Sequence, residues 1–350
     1  MALSNGSAEL DTASVAWHDE QLQRVRAVFD SVDAAAADVD LRAKVVAQLP
    51  DGHGGAILGT RVFRDLIRVE HRPSRFLRLL RIWSGKVAAE VWAGDYEAAG
   101  RWMRALTEAP VFPEEFAQFV AEAKRDLSRD SLFEELVTGL VSADAPDSAD
   151  LLLASWGEPL VEYLVSQITV DEPIVTRRSI VDLLGMAGRG DVRHLTARLA
   201  DPRWFVVRSV VTAIGKAGRV SALPALEAVA KYDDDRVRVE VLRAIGALTP
   251  DEASSGALDA LADPSPKVRQ AAISLLRASA ADSVVTGIVE VLEAGTGSSK
   301  DGIRLVEIIA ERRGPQVREA LERLTVRKLS GGVSRSVRTA AGDALAGWSA

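Results

Sequence analysis

Seven arginines, Arg61, Arg64, Arg68, Arg72, Arg75, Arg78 and Arg81, follow one another at steps of three or four residues around Pro73. On helices that spacing gathers side chains along one side, and a guanidinium fork meets a carboxylate or phosphate through two bonds at once. The chemistry on offer is binding, to an acidic protein or a nucleic acid backbone. The plainer alternative is a solvated face paired with neighbouring Asp and Glu. Trp204, beside Arg203 and four residues before Arg208, is a second such spot. Its place near the start of a helix fits simple packing.

Signals for catalysis are absent. Asp51-Gly-His-Gly-Gly55 is glycine-rich, but no strand precedes it and no Gly-Lys-Ser/Thr follows, so its amides are not arranged to cradle phosphate. Pro50 to Gly59 reads instead as the most flexible internal loop. His18, His53, His71 and His194 are scattered without a metal or base motif. With no cysteine in the chain, disulfides, thiol nucleophiles, thiolate zinc sites and iron–sulfur clusters are excluded. Nothing matches a nucleophile elbow. No catalytic residue, metal or cofactor is assigned.

The elements that must carry these residues are helical. Aromatic content of 5% beside abundant Ala, Leu, Val, Arg and Glu suits helices packed through small and branched side chains. A net charge of −7 argues against coating nucleic acid through the overall field, though it permits a local basic patch. No apolar run approaches the ~20 residues that cross a bilayer. Met1 to Asp11 lacks the basic start and apolar centre of a signal peptide, so a cytoplasmic protein without membrane insertion is expected.

The second half repeats itself. Taking the Arg of Val237-Arg238 as position zero, its equivalents are Arg177, Val207, Arg238, Arg269, a blurred Arg304, and Arg338. In the clearest copies positions −1, +3, +4 and +7 are apolar, as in Val237, Val241, Leu242 and Ile245, which is one face of a helix. Gly185, Gly215 and Gly246 stand at +8, where a helix would end. Asp201-Pro202 and Asp263-Pro264 open the helices, Asp as candidate N-cap and Pro in the first turn. A second apolar helix follows each first one: His194–Leu199, Ala222–Ala230, Ala257–Ala262, Val284–Leu292 and Val317–Leu329. Gly295–Gly302 and Ser330–Ser334 read as lengthened turns, and the copy ending in Trp348 as a cap for the stack.

On these residues the segment from about Asp171 to Trp348 resembles the HEAT-repeat family of the bacterial variety, with Asp201-Pro-Arg-Trp-Phe-Val-Val-Arg208 as its best copy. The resemblance implies an all-α, right-handed α-solenoid of stacked antiparallel helix pairs, armadillo-like, whose second helices line a concave, ligand-bearing face. Inward-facing candidates are then His194, Arg198, Glu227, Lys231, Asp259, Glu290, Arg318 and Glu322. It also implies a structural ladder between repeats, drawn from Arg177, Asp201, Arg208, Arg238, Asp263, Arg269 and Arg338.

The first half shows helical periodicity in Leu22–Val32, Leu41–Leu49, Val62–Val69, Phe76–Trp92, Tyr96–Leu106, Phe112–Leu127 and Phe133–Leu140, without copying the later repeat. Gly94-Asp95-Tyr96-Glu97-Ala98-Ala99 is similar to the turn and helix of one tetratricopeptide unit. The expected organisation is a tail at 1–14, irregular hairpins at 15–141, a linker at 142–150 and the solenoid at 151–350. The leading expectation is a non-enzymatic scaffold that binds a partner protein along its concave surface. The alternative is a nucleic-acid-binding protein, similar to HEAT-like DNA alkylation-repair proteins, using the arginine stripe and Trp204.

Overall fold

The computed structural model describes residues 52–107, 112–142, 149–169, 174–250, 253–281, 283–295, 298–326 and 332–349. The expected tail at 1–14, the helices at 22–32 and 41–49 and most of the expected linker lie outside them. Every regular element among the described residues is helical. The chain divides into two compact units, the boundary falling between Leu183 and Leu184.

The first unit contains α1 (Gly52–Val69), α2 (Pro73–Trp92), α3 (Tyr96–Thr107), α4 (Ala117–Leu127), α5 (Asp130–Ser142), α6 (Asp150–Trp156) and α7 (Glu158–Ser166). The glycines from Gly52 to Gly59, expected in a loop, form the first turns of α1. Glycine weakens a helix by about 1 kcal/mol per residue, but burial of Val62, Phe63 and Ile67 in the same helix fixes it through tertiary packing. Arg72, extended before Pro73 at N1, starts α2 in the manner proline imposes on its predecessor. The Gly94–Ala99 segment makes the expected turn and helix start: Gly94 has φ 74°, and Asp95 Oδ1 accepts the Ala98 N–H at 2.9 Å.

Helix α3 packs against α1, α2 and α6, and large aromatics fill the space between them. The buried Trp83 indole donates to the Trp102 carbonyl at 2.6 Å, and Phe63 meets the Trp102 ring edge-on at 5.8 Å. At Gly100 a Cβ would stand 2.9 Å from the Leu152 backbone nitrogen, so α3 and α6 approach this closely only through glycine.

Helix α8 (Ile174–Gly188) spans the boundary. The second unit continues with α9 (Arg193–Thr196, extended by a 3₁₀ turn to Ala200), α10 (Trp204–Ala217), α11 (Leu223–Ala228), α12 (Asp235–Leu248), α13 (Ala253–Ala260), α14 (Pro266–Ala278), α15 (Ser283–Glu293), α16 (Ser299–Arg312), α17 (Pro315–Thr325) and α18 (Arg335–Ser349). The first helices α10, α12, α14, α16 and α18 each pack on the next, and the second helices α13, α15 and α17 do the same. The result is a two-layered α-solenoid. The apolar ladder read from the sequence is its core: Val206, Val210, Val241, Val268, Ala272 and Leu276 are all buried.

Two expected helix signals act differently. The glycines at +8 lie inside α8, α10 and α12, and the left-handed residue that ends α10 is Gly218, at φ 69°. The +8 glycines are contact points between first helices. A Cβ on Gly185 would stand 2.8 Å from Lys216 Cβ, and one on Gly215 would stand 3.2 Å from Ala244 Cα. Gly185→Ala is therefore expected to destabilise the second unit by about 1–2 kcal/mol: overpacking costs about 1–3 kcal/mol and helix propensity returns at most about 1 kcal/mol. A urea melt followed by circular dichroism checks this. A midpoint at or above the parent's would mean that the contact at Lys216 relaxes freely.

Asp201 and Asp263 precede their helices by more than a cap does. The residues flanking the helices are Arg203 and Ser265, whose N–H groups donate to Asp201 and Asp263 at 2.9 and 2.8 Å. The proline after each Asp, having φ fixed but no helical successor, holds this turn open and moves the helix start two residues on.

Candidate interaction surfaces

What holds one repeat to the next determines which surfaces are left for a partner. Arg238 donates from Nε and Nη2 to the two oxygens of Asp263 in the following repeat, at 2.8 and 2.9 Å, and from Nη1 to the Tyr232 and Asp233 carbonyls of its own entering turn. Arg269 repeats the pattern on the Asp263 and Pro264 carbonyls and reaches Asp301 at 2.9 Å. Burial pushes the Asp263 and Asp301 carboxyls up, but hydrogen bonds from Arg238 and Arg269, with help from Ser265 and Ser298, outweigh it and leave both below the usual carboxylate range. These two rungs join consecutive repeats, and Arg238, Asp263 and Arg269 of the expected set take part in them.

Other expected members are placed elsewhere. Arg208 pairs with Glu240 at 3.2 Å because the zero position of its repeat is the buried Val207, which shifts the arginine by one residue to another side of α10. Asp201 is turned back onto Arg203, as Asp191 is onto Arg193 and Asp234 onto Arg236. The Arg193 hydrogen bond holds Asp191 down at about 2. Arg338 grips the Val333 carbonyl of its own turn. Arg177 lies in α8, half-buried.

The sequence reading missed Asp301, although Ser298 and Asp301 form a capping pair in which the Ser298 hydroxyl accepts the Asp301 N–H at 3.2 Å. It also missed two arginines that cap the preceding repeat's first helix. Arg219 donates to the Arg189 carbonyl beyond α8, and Arg312 to the Leu276, Ser279 and Ala281 carbonyls at the end of α14. A helix C-terminus carries orphan carbonyls and partial negative charge, which a guanidinium satisfies together.

On the second-helix layer, Glu227, Lys231, Asp259, Glu290, Arg318 and Glu322 are exposed, while His194 and Arg198 are half-buried. His194 lies 3.8 Å from Asp191. Glu227, Asp259, Glu290 and Glu322 each follow an apolar residue of α11, α13, α15 and α17, which gives each of these helices at least one exposed carboxylate.

The first-helix layer carries a groove of about 600 Å³ in which none of those eight residues takes part. Val239, Leu242, Ala271 and Leu275 make its floor, and Arg208, Arg236, Arg243 and Lys267 stand around it. Glu240, with a side chain only 10% exposed, accepts from both Arg208 and Arg243. The Arg236 guanidinium carbon stands over the Trp204 ring, 3.3 Å from its centroid, so one face of that indole is already covered.

In the first unit the seven arginines divide between two helices. Arg61, Arg64 and Arg68 are exposed on α1; Arg75 and Arg78 are half-buried and Arg81 exposed on α2, with Arg72 in the turn between. Arg72, Arg75, Arg78 and Arg81 are each engaged in interactions within the protein. Among the described residues no group of three or more His, Cys, Asp or Glu could hold a metal ion, and no helix is long and apolar enough to cross a membrane.

Comparison with known proteins agrees with the architecture. A family model for HEAT repeats matches residues 158–246 and, in a second overlapping register, 192–277. No curated protein matches. A crystal structure of an engineered protein aligns over 90% of this chain and all of its own, at 15% identity and a TM-score of 0.29, an overlap too low to carry an argument. With the period, the two-layered packing and the family match in agreement, residues 158–277 are HEAT repeats.

Proposed function

We propose that the protein is a non-enzymatic scaffold that binds a partner protein along the second-helix face of its solenoid. The observation that supports this most directly is the division of labour in the second unit. The ladder rungs and the arginine caps that join the repeats engage first helices and their turns, while the second helices present an exposed carboxylate in every repeat from α11 to α17. A row of like charges stepping by about 9 Å, the usual distance between packed helices, suits a partner with matching cationic side chains. It also gives specificity without a deep pocket.

A chain carrying Glu227→Lys, Asp259→Lys and Glu290→Lys tests the reading. Affinity capture from lysate, with and without nuclease, is expected to retain nuclease-resistant protein partners on the parent and to lose them by about tenfold or more on the variant. Full retention by the variant would remove the second-helix face from consideration. Retention that vanishes with nuclease would replace the protein partner with nucleic acid.

A further inference from the structure

We propose that the groove on the first-helix layer, separate from the second-helix face, is a second docking site, and that it takes an acidic, leucine-bearing helical segment of a partner protein. Its lining forms one stripe on each of two neighbouring helices: Arg236, Val239 and Arg243 along α12, and Lys267, Ala271 and Leu275 along α14. These are i, i+3, i+4 positions, so the groove is a valley following the helix axes. From Lys267 to Ala278 it runs about 16 Å at 1.5 Å per residue, the length of a three-turn helix laid into it.

The valley is graded in net charge. Arg236 and Lys267 stand at the beginnings of α12 and α14, Arg243 further along α12 is offset by Glu240, and Leu275 and Ala278 lie towards the end of α14. Arg208 and Arg243 share the single carboxylate of Glu240, and Arg236 is matched by Asp234, which leaves the valley cationic in a chain whose overall charge is negative. Lys267 has no ion-pair partner among the described residues, so its ammonium is available to an incoming carboxylate. A partner with carboxylates at one end and leucines at the other fits both halves, since cations at the rim select charge and the aliphatic floor excludes water. A phosphate backbone matches only the first half and would bring its charge against Glu240.

The test uses the full chain and a fluorescein-labelled, capped 14-residue helical peptide, with Glu in its first two turns and Leu at i, i+3 and i+4 positions of its last two. Anisotropy titrations at physiological salt are expected to give saturable binding. Lys267→Glu, an exposed change, and Ala271→Trp, which fills the floor, should each weaken it by about tenfold or more, with circular dichroism spectra like the parent's. Replacing the peptide's leucines by serine should weaken it similarly. The second-helix variant described above should bind within about threefold of the parent, so failure of one site is distinguishable from failure of the other. The proposal is overturned if the parent binds no tighter than about 1 mM or if neither variant matters. It is equally overturned if a single-stranded oligonucleotide outcompetes the peptide, or if sedimentation shows a second copy of the chain in the groove.

Discussion

Arg238→Ala is expected to destabilise the second unit by about 3 kcal/mol, at the lower end of what breaking a buried ion pair costs because both side chains remain 13% exposed. The loss has two sources. Asp263 is left with its burial penalty and only the Ser265 N–H and the nearby Arg269 charge for relief, and the Tyr232 and Asp233 carbonyls lose their donor. Solenoid stability is a sum of repeat and interface contributions, so the effect should be local. Hydrogen exchange should accelerate in α12 and α14 far more than in α16 to α18. Asp263→Ala should cost a similar amount, and the double variant clearly less than the two together. Strict additivity would show that the rung carries no coupling.

The rungs and the aspartate–arginine pairs of the entering turns together set the response to acid. The folded-state values of Asp191, Asp201, Asp234, Asp263 and Asp301 are all depressed. Groups of this kind contribute stability that is fully present above the unfolded-state value of about 3.9 and is lost as the pH falls through that value towards the folded one. The second unit should therefore weaken progressively below about pH 4, and Arg238→Ala should flatten that dependence.

In the first unit the largest effect is expected from Trp83→Ala, at about 4 kcal/mol. The side chain is completely buried, and its indole N–H donates to Trp102, itself buried against Phe63. Truncation opens a cavity where three helices meet. Trp83→Phe should cost only about 1–2 kcal/mol, because most of the volume stays and only the N–H donor is lost. Urea denaturation of both variants checks the pair. Near-parental stability of Trp83→Ala would mean that α1, α2 and α3 can close over the void.

How much of this could be read from the residues depends on how local each cause is. The first-helix faces were legible because burial recurs with the helical period, as at Val237, Val241 and Leu242. Arg238 and Arg269 were recognisable as ladder members because each sits at the same point of its repeat. The partner of Arg269 was not, since the Gly295–Gly302 insertion breaks the spacing on which an aspartate would be sought. From sequence the +8 glycines suggest helix ends because glycine has two uses, a left-handed turn and a close approach, and only a neighbouring helix decides between them. Arg208 shows how a one-residue offset, with valine taking the zero position, carries a side chain to a different surface. The groove had no linear signal at all: its lining comes from three repeats and exists only once they stack.

The sorting of charge between the two layers of the second unit has an electrical consequence. Carboxylates recur along one layer, interspersed with Lys231 and Arg318, and unpaired or shared cations cluster in the groove on the other, so the two surfaces present local fields of different sign. In such a field an approaching charged body is turned before it touches. Raising ionic strength should therefore slow association on both layers well before it loosens the finished complexes, whose contacts lie within the screening length.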